Sequence, residues 1–390
     1  MKLKLLLIPL VATAALLGVN YASAGHVPAT RTINVGGGGS GVAANDFFPD
    51  EVTIVKGDTL RFTNPYEEIH TATYVPGTPQ PIDIPDFVIP NPSGPGVILN
   101  PLAFNPSNAA STTTVFDPHA YYNSGIMFAD GSSSDVVFDT PGNFKFLCLV
   151  HSGMELNVNV TGTPVTIASQ ADLDKKGAAQ RDALIASGVA IAADAPLTKV
   201  SDASGAATWS LQIGATQGQT DVMQFLPPGA TNISTGDTVK WSTITDTPHT
   251  VTFGKQVSPL MMFGQNTGFN PAAALPSGGS TYSGGDANSG LMDVSNQLPG
   301  GTSYSLMFTK AGTYTYVCLL HADQGMAGTI VVSDKASAAA PGTGTIKAPN
   351  TGTGGAARTG GSLLPALLML GIAGVALAAA GTRVAVKNEA

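Results

Sequence analysis

The chain has 390 residues, of which 11% are charged, whereas glycine (46 residues) and proline (27 residues) are abundant. Short runs of β-branched and aromatic residues, broken by Gly, Pro, Asn and Asp, indicate an all-β class with more than one domain. The formal net charge is −8, and no run of Lys or Arg occurs outside the two ends. This charge pattern argues against nucleic acid as a partner, because phosphate binding depends on clustered cations.

Residues 1–24 have the pattern of a signal peptide. Lys2 and Lys4 precede an apolar run from Leu5 to Leu17, and residues 22–24 (Ala-Ser-Ala) form a small-residue cleavage site. We therefore expect the mature chain to be exported and to work outside the cytoplasm, in the periplasm or at the cell surface.

An internal repeat organises the central part of the chain. Each copy has, in the same order, a Gly-Asp-Thr strand, a histidine, a loop bounded by Phe-Asn-Pro and Asn-Ser-Gly, and a strand that leads to a cysteine. The Gly-Asp-Thr, His, Phe-Asn-Pro and Asn-Ser-Gly features begin at Gly57, His70, Phe104 and Asn123 in the first copy, and the last strand leads to Cys148. In the second copy they begin at Gly236, His249, Phe269 and Asn288, and the last strand leads to Cys318. Two copies of one domain, residues 25–163 and residues 208–335, are the simplest interpretation.

Residues 164–207 connect the two copies. Within them, residues 169–187 are rich in helix-forming residues, and Ser169 with Asp172 forms a capping box. We predict a short helical linker that spaces or docks the two domains.

The C-terminal part predicts a membrane anchor. Residues 336–362 form a Gly/Thr/Ala/Pro-rich linker, and residues 363–381 are apolar and uncharged. Nineteen residues at about 1.5 Å each approach the thickness of a bilayer core. Arg383 and Lys387 predict that residues 382–390 are a cytoplasmic tail. A buried core helix is the alternative, and residues 348–352 (Ala-Pro-Asn-Thr-Gly) are either a spacer or a wall-sorting signal without its leucine.

Each copy offers a candidate donor set of one cysteine, two histidines and a nearby methionine. These residues are His70, Cys148, His151 and Met154 in the first copy, and His249, Cys318, His321 and Met326 in the second. Thiolate and imidazole suit copper in both oxidation states, and a weak axial thioether favours the reduced ion. One segment supplies Cys, His and Met, whereas the remaining His comes from a neighbouring strand. The sequence therefore predicts one copper site in each copy.

The pattern Gly-x-aromatic-x-aromatic-x-Cys-x-x-His, followed by Met and preceded by a distant His, resembles the cupredoxin (blue type 1 copper) signature. The loop after Cys318 has the spacing of plastocyanin and pseudoazurin, and the shorter loop after Cys148 has that of amicyanin. The resemblance covers roughly residues 45–163 and 208–334. It implies two Greek-key β-sandwiches, with the eight residues above as ligands of one type 1 copper per domain.

The resemblance also implies where electrons enter and leave. In this family the loop histidine, here His151 or His321, tends to lie at the surface as the electron port. The stretch from each upstream histidine to its cysteine is longer than in small cupredoxins. We expect this insertion to cover the copper end or to form the contact between the domains.

Several alternatives remain. A disulfide between Cys148 and Cys318 would require two equivalent strands to meet. The first domain could also be a metal-free scaffold, since the loop that contains Met154 is tight. Copper storage, delivery or sensing at the envelope is the alternative to single-electron transfer between redox proteins.

An oxidase or nitrite reductase is disfavoured. A trinuclear copper centre needs His-x-His pairs, which the sequence lacks, and leucines rather than histidines (Leu149 and Leu319) follow the cysteines. After the eight candidate ligands are assigned, His26 and His119 are the remaining histidines. The sequence therefore predicts an electron carrier rather than an enzyme.

Overall fold

The structure is a computed structural model, and it describes residues 26–77, 88–92, 97–108, 113–129, 131, 133–163, 165–263, 266–296 and 298–335. The predicted signal peptide (residues 1–24), the linker 336–362, the predicted membrane helix 363–381 and the tail 382–390 lie outside the described residues. Within the described ranges, no helix has both the length and the apolarity that crossing a membrane requires.

The first repeat forms short strands and one short helix. They are β1 (Thr30–Gly39), β2 (Val42–Phe48), β3 (Glu51–Val55), β4 (Thr59–Thr63), β5 (Thr73–Tyr74), β6 (Val88–Pro90), β7 (Val97–Leu99), α1 (Pro101–Phe104), β8 (Thr113–Val115), β9 (Tyr122–Asn123), β10 (Ser133–Val137), β11 (Gly142–Leu147) and β12 (Glu155–Thr161). Buried and exposed residues alternate along β4 and β12, as expected where one face of a sheet covers a core.

The helix α2 (Gln170–Asp194) follows the first repeat. The second repeat then has the same pattern of strands as the first. Its elements are β13 (Thr198–Ser201), β14 (Ala207–Gln217), β15 (Thr220–Leu226), β16 (Ala230–Ser234), β17 (Thr238–Thr243), β18 (Thr252–Phe253), β19 (Leu260–Phe263), β20 (Asn266–Phe269), α3 (Pro271–Ala274), β21 (Thr281–Tyr282), β22 (Ala287–Asn288), β23 (Ser303–Phe308), β24 (Gly312–Val317) and β25 (Ala327–Ser333). The strand β13 lies within the predicted linker and pairs with β14.

Each repeat is a sandwich of two sheets. In the first repeat, strands β2-β1-β4-β10-β8 form one sheet and β3-β12-β11-β5-β9 the other. In the second, the corresponding sheets are β15-β14-β17-β23-β21 and β16-β25-β24-β18-β22. Aromatic residues from both sheets fill each core, for example Phe62 and Phe146 in the first and Trp241 and Tyr316 in the second. The predicted all-β class is confirmed.

The two sandwiches share backbone hydrogen bonds. Strand β2 pairs antiparallel with β15, so that one sheet runs through both repeats, and Ala43 lies opposite Asp221. Ala43 and Asp221 are equivalent residues when they are counted from the bulges at Gly36 and Gly214. An antiparallel pair of equivalent residues is the contact that two copies related by an approximate two-fold axis make.

The insertions form a second contact between the repeats. Strands β6 and β7 of the first insertion and β19 and β20 of the second build one four-stranded sheet, in which Gly268 pairs with Ile98. The expectation that the insertion forms the contact between the domains is therefore confirmed.

The connecting helix α2 packs against both halves of this junction. It begins after the N-cap Ser169, and the predicted capping box with Asp172 is present. It is longer than the predicted short linker, since it continues to Asp194, and it contacts β2 and β15. A Cβ atom on Gly188 would lie 2.5 Å from Val42, so glycine permits this close approach.

Candidate metal centres

The structure brings together three predicted donors of the first repeat. The Cys148 Sγ atom lies 3.9 Å from His70 Nδ1 and 3.8 Å from His151 Nδ1, and the two Nδ1 atoms are 3.1 Å apart. All three side chains are buried. Cys148 directly follows β11, His151 lies in the loop before β12, and His70 comes from the segment between β4 and β5.

The second repeat repeats this arrangement. The Cys318 Sγ atom lies 3.8 Å from His249 Nδ1 and 3.3 Å from His321 Nδ1, and the two Nδ1 atoms are again 3.1 Å apart. These three side chains are also buried.

Both triangles have the size that a first-row metal ion requires. Their edges put a central point about 2.1 Å from each donor in the first site and about 2.0 Å in the second, and such ions bind nitrogen and sulfur at about 2.0–2.3 Å. One thiolate with two imidazoles in a plane is the donor set of blue copper sites. The residues present therefore fit copper.

Backbone hydrogen bonds fix the upstream histidines. Met127 N donates to His70 O at 2.8 Å, and Met292 N donates to His249 O at 2.8 Å. Met127 and Met292 belong to the two Asn-Ser-Gly segments of the sequence repeat and are buried in the cores. These segments therefore hold the backbone of a candidate ligand in each site.

The cysteines are held by the residues around them. Thr71 N and Val150 N each lie 3.4 Å from Cys148 Sγ and donate to it, and Thr250 N lies 3.4 Å from Cys318 Sγ. In addition, the Thr71 hydroxyl accepts a hydrogen bond of 2.9 Å from Leu149 N. Sequence reasoning missed the role of these threonines, although each follows the upstream histidine in its repeat.

The two methionines lie beside their cysteines. Met154 and Met326 are completely buried, in the same core clusters as Cys148 and Cys318, respectively. Cys148 N donates to Met154 O at 3.1 Å, and Cys318 N donates to Met326 O at 3.0 Å. Each loop therefore closes on its cysteine, and the axial role of the thioether stays a prediction.

A glycine packs against each upstream histidine, and sequence reasoning did not identify it. Gly36 has φ +83°, and a Cβ atom built on it would lie 2.1 Å from His70 Nε2. Gly214 has φ +64°, and its Cβ atom would lie 2.6 Å from His249 Nε2. Both the left-handed backbone and the close approach favour glycine. The sequence signal that could have identified them is that a glycine occurs at the equivalent position of β1 and β14.

The histidines shift the ionisation of the thiols. Burial alone would raise the pKa of the Cys148 thiol, but His151 and His70 hold it well below its usual range by hydrogen bonds and charge. Burial likewise opposes ionisation at Cys318, and His321 and His249 again lower its pKa. The thiolate, which is the form that binds metal, is thus favoured in both sites.

The pKa values of the loop histidines shift in the opposite direction, upward. Burial would lower the pKa of His151, but Cys148 and Glu68 raise it to about 10. Burial also opposes the charge on His321, whose pKa Cys318 and Glu68 raise to about 9. Burial lowers the pKa of His70. A metal ion at either site must therefore displace a proton from the loop histidine.

The position of the loop histidines differs from the surface port implied by the family resemblance. His151 is 9% exposed and His321 is 4% exposed. One carboxylate, Glu68, lies between them, with Oε1 3.6 Å from His151 Nε2 and Oε2 3.6 Å from His321 Nε2. Sequence reasoning missed Glu68, since no pattern in one repeat indicates which side chain faces the other.

The insertion motif needs one correction. The sequence comparison matched the Phe-Asn-Pro segments that begin at Phe104 and Phe269. In the structure, however, the N-cap of α1 is Asn100, and it corresponds to Asn270, the N-cap of α3. The Asn123 side chain donates to the Ala103 carbonyl near α1, as Asn288 does to Ala273 near α3. The loop that connects the short helix to the Asn-Ser-Gly segment therefore has a different length in each repeat.

The other cysteine and histidine alternatives are resolved by position. Cys148 and Cys318 are free and belong to different sites, so they form no disulfide. His26 Nε2 lies 2.6 Å from Asp58 Oδ1, and His119 is exposed. Neither histidine belongs to a metal-sized cluster of His, Cys, Asp or Glu within the residues that the structure describes.

A comparison with protein families agrees with the donor set of the second repeat. Residues 212–333 match the family model of copper-binding proteins of the plastocyanin/azurin family. Among solved structures, a mutant amicyanin in its oxidised form is 13% identical, with a TM-score of 0.20, and the match covers 34% of this chain and 82% of that chain. Plastocyanin from Dryopteris crassirhizoma is 23% identical, with a TM-score of 0.20, over 33% of this chain and 99% of that chain. No curated protein matches the chain.

The strands, the buried donor triangles and the family match define a copper protein with two type 1 sites. The second repeat matches the plastocyanin/azurin family of copper-binding proteins, and the first repeat has equivalent strands and the same His-Cys-His group. Its cofactor is copper.

Proposed function

We propose that this chain is a membrane-anchored, extracytoplasmic blue copper protein that transfers single electrons through two type 1 sites. The ligands are His70, Cys148, His151 and Met154 in the first site and His249, Cys318, His321 and Met326 in the second. Its partners are redox proteins of the cell envelope.

The single observation that carries this proposal is the pair of buried His-Cys-His triangles, each with donor atoms spaced for one metal ion. A bound copper ion supplies the one-electron Cu(I)/Cu(II) couple. The chain's own residues hold the donors still, because the donors are buried and the cysteine sulfur accepts backbone hydrogen bonds, such as that from Thr71 N. Rigid donors favour fast transfer, since little has to move when the charge of the ion changes.

Copper storage or delivery is the competing function. A carrier that releases its ion needs an open or labile site, whereas Cys148 is 6% exposed and Cys318 is fully buried. This burial supports electron transfer over release. Oxidase or nitrite reductase chemistry would need a further histidine-rich copper centre, and His26 and His119 lie outside both donor groups.

Copper stoichiometry and the visible spectrum of the purified chain test the proposal. We expect two coppers per chain, an intense thiolate-to-copper charge-transfer band, and reversible one-electron reduction at each site. One copper would limit the function to a single domain. Two coppers that leave rapidly to a chelator, without reversible reduction, would favour storage or delivery.

The proposed location depends on the two ends of the chain. Residues 1–24 direct export, and residues 363–381 anchor the two domains to the membrane. A chain that stops after residue 335 should therefore appear in the soluble extracytoplasmic fraction, whereas the full chain should remain with the membranes. Retention of the shortened chain in the membrane fraction would contradict the anchor.

A further inference from the structure

One buried carboxylate lies between the two candidate copper sites. Glu68 is 5% exposed, and its two oxygens face different repeats: Oε1 faces His151 Nε2 and Oε2 faces His321 Nε2, each at 3.6 Å. The Nδ1 atoms of both histidines point to the metal triangles. The Nε2 atoms on the other side of the rings are therefore the ones that meet Glu68. A ligand histidine commonly directs its second N–H to a carboxylate in this way.

Further contacts hold Glu68 at this point. Gln324 Nε2, from the second repeat, donates to Glu68 Oε2 at 2.7 Å. Asn64 Nδ2 donates at 2.6 Å to the backbone carbonyl of Glu68 and at 2.9 Å to that of Met127, which pairs with His70. The carboxylate is thus fixed from both repeats, and its backbone is tied to the first metal site.

The two repeats differ at this position. Thr247 is the residue of the second repeat that corresponds to Glu68, because each lies two residues before the upstream histidine. Its hydroxyl donates at 2.8 Å to Asp221 Oδ2, which also accepts from Asn45 Nδ2. If Thr247 were also a glutamate, two negative charges would lie close together near the approximate two-fold axis, and their repulsion in buried surroundings would be unfavourable. One carboxylate serves both sites.

We infer that Glu68 couples the two copper sites, so that electrons pass between them within one chain along His151, Glu68 and His321. This inference rests on the proposed function, because it requires copper at both sites. The path has two non-covalent contacts of 3.6 Å, and it replaces the exposed histidine port, since His151 and His321 are both buried. One electron leaves the reduced site, which is oxidised from Cu(I) to Cu(II), and reduces the other site from Cu(II) to Cu(I). No bond or proton is exchanged.

Glu68→Gln tests this role in the full chain loaded with two coppers. Glutamine keeps the size of the side chain, but it is neutral and has one oxygen and one NH2 group, so it cannot present an oxygen to both Nε2 atoms. After a pulse that supplies less than one electron per chain, redistribution between the sites is followed by the visible bands or by EPR of frozen samples. We expect a first-order rate in the wild type that does not depend on protein concentration, and a decrease of about 10-fold in the variant.

The reduction potentials give a second readout that an interface role alone would not move. Loss of the negative charge near both sites destabilises Cu(II) more than Cu(I), so Glu68→Gln should raise both potentials. Glu67→Gln is the matched control, since it makes the same change at an exposed neighbour and should alter neither the rate nor the potentials. Glu68→Asp keeps the charge on a shorter side chain. It should therefore slow redistribution while leaving the potentials near those of the wild type, and it serves if the glutamine variant folds poorly.

Failure of this inference and failure of the proposed function give different results. Two blue sites whose redistribution rate is unchanged in both Glu68 variants, or depends on protein concentration in the wild type, would overturn the coupling alone. A wild-type chain that binds copper without any thiolate-to-copper band would overturn the proposed function itself.

Discussion

The close approach of Gly36 to His70 gives the sharpest prediction. In Gly36→Ala, the new Cβ atom would lie 2.1 Å from His70 Nε2, 2.3 Å from Cδ2 and 3.0 Å from Cε1. An ordinary contact needs more than 3 Å, so the imidazole must move by about 1 Å, whereas metal–ligand lengths tolerate about 0.2 Å. We therefore expect the first site to lose its copper and the second to keep it.

The control separates this displacement from backbone strain. Gly131 has φ +81°, nearly the same as Gly36 at φ +83°, but a Cβ atom on Gly131 would meet nothing within 4 Å. Both alanine variants should lose about 1–2 kcal/mol of stability to the left-handed backbone. Gly131→Ala should nevertheless keep two coppers per chain.

Copper analysis, the visible spectrum and thermal unfolding are the assays. Gly36→Ala should bind one copper per chain and show only the charge-transfer band of the second site. Gly214→Ala, whose Cβ atom would lie 2.6 Å from His249 Nε2, should perturb its own site less, because the overlap is smaller. If Gly36→Ala retains two coppers and an unchanged spectrum, the reasoning from close packing is wrong.

Three other changes should have distinct effects. Cys318→Ser should abolish the blue band of the second site and leave that of the first, and an unchanged spectrum would show that the second site is wrongly assigned. Met326→Leu should raise the reduction potential of the second site with copper retained, as expected when an axial thioether is removed; loss of copper would contradict the axial role. Burial raises the pKa of Asp46 to about 7. Nearby carboxylates also raise this pKa, whereas a hydrogen bond from Phe47 N lowers it. Because the folded chain then binds this proton more tightly than the unfolded chain, stability should fall as pH rises from about 4 to 7. Asp46→Asn should reduce this loss of stability and stabilise the protein by about 1 kcal/mol at pH 8 but not at pH 4. If the wild type and the variant have equal thermal midpoints at both pH values, the raised pKa of Asp46 is wrong.

The sequence predicted the features that depend on short segments and on repetition. The order of Cys148, His151 and Met154 lies within one loop, and its recurrence at Cys318 made chance improbable. The capping box at Ser169 was also predicted, because its two residues are three positions apart and interact within one helical turn. The all-β class followed from alternation along strands, which is a local property of the chain.

The Gly-Asp-Thr segments gain their role from contacts that are distant in sequence. Repetition marked them, but their role appears only in the fold, where Asp58 accepts from Ala29 N and Val55 N, and Asp237 accepts from Ala207 N and Ser234 N. Asp58 thus joins the residue before β1 to the end of β3, and Asp237 joins the first residue of β14 to the end of β16. No sequence pattern predicts these partners, because the first of them is about 30 residues away.

What lies between the two repeats was decided by the tertiary structure alone. The sequence by itself determined two donor sets, since each is mainly local and occurs twice. It did not determine that β2 pairs with β15, that His151 and His321 are both buried, or that Glu68 lies between them. Those features depend on how two finished sandwiches face each other, and the hydrogen bond from Gln324 to Glu68 joins residues 256 positions apart. A contact of that separation is fixed by packing, and no local pattern in the chain encodes it.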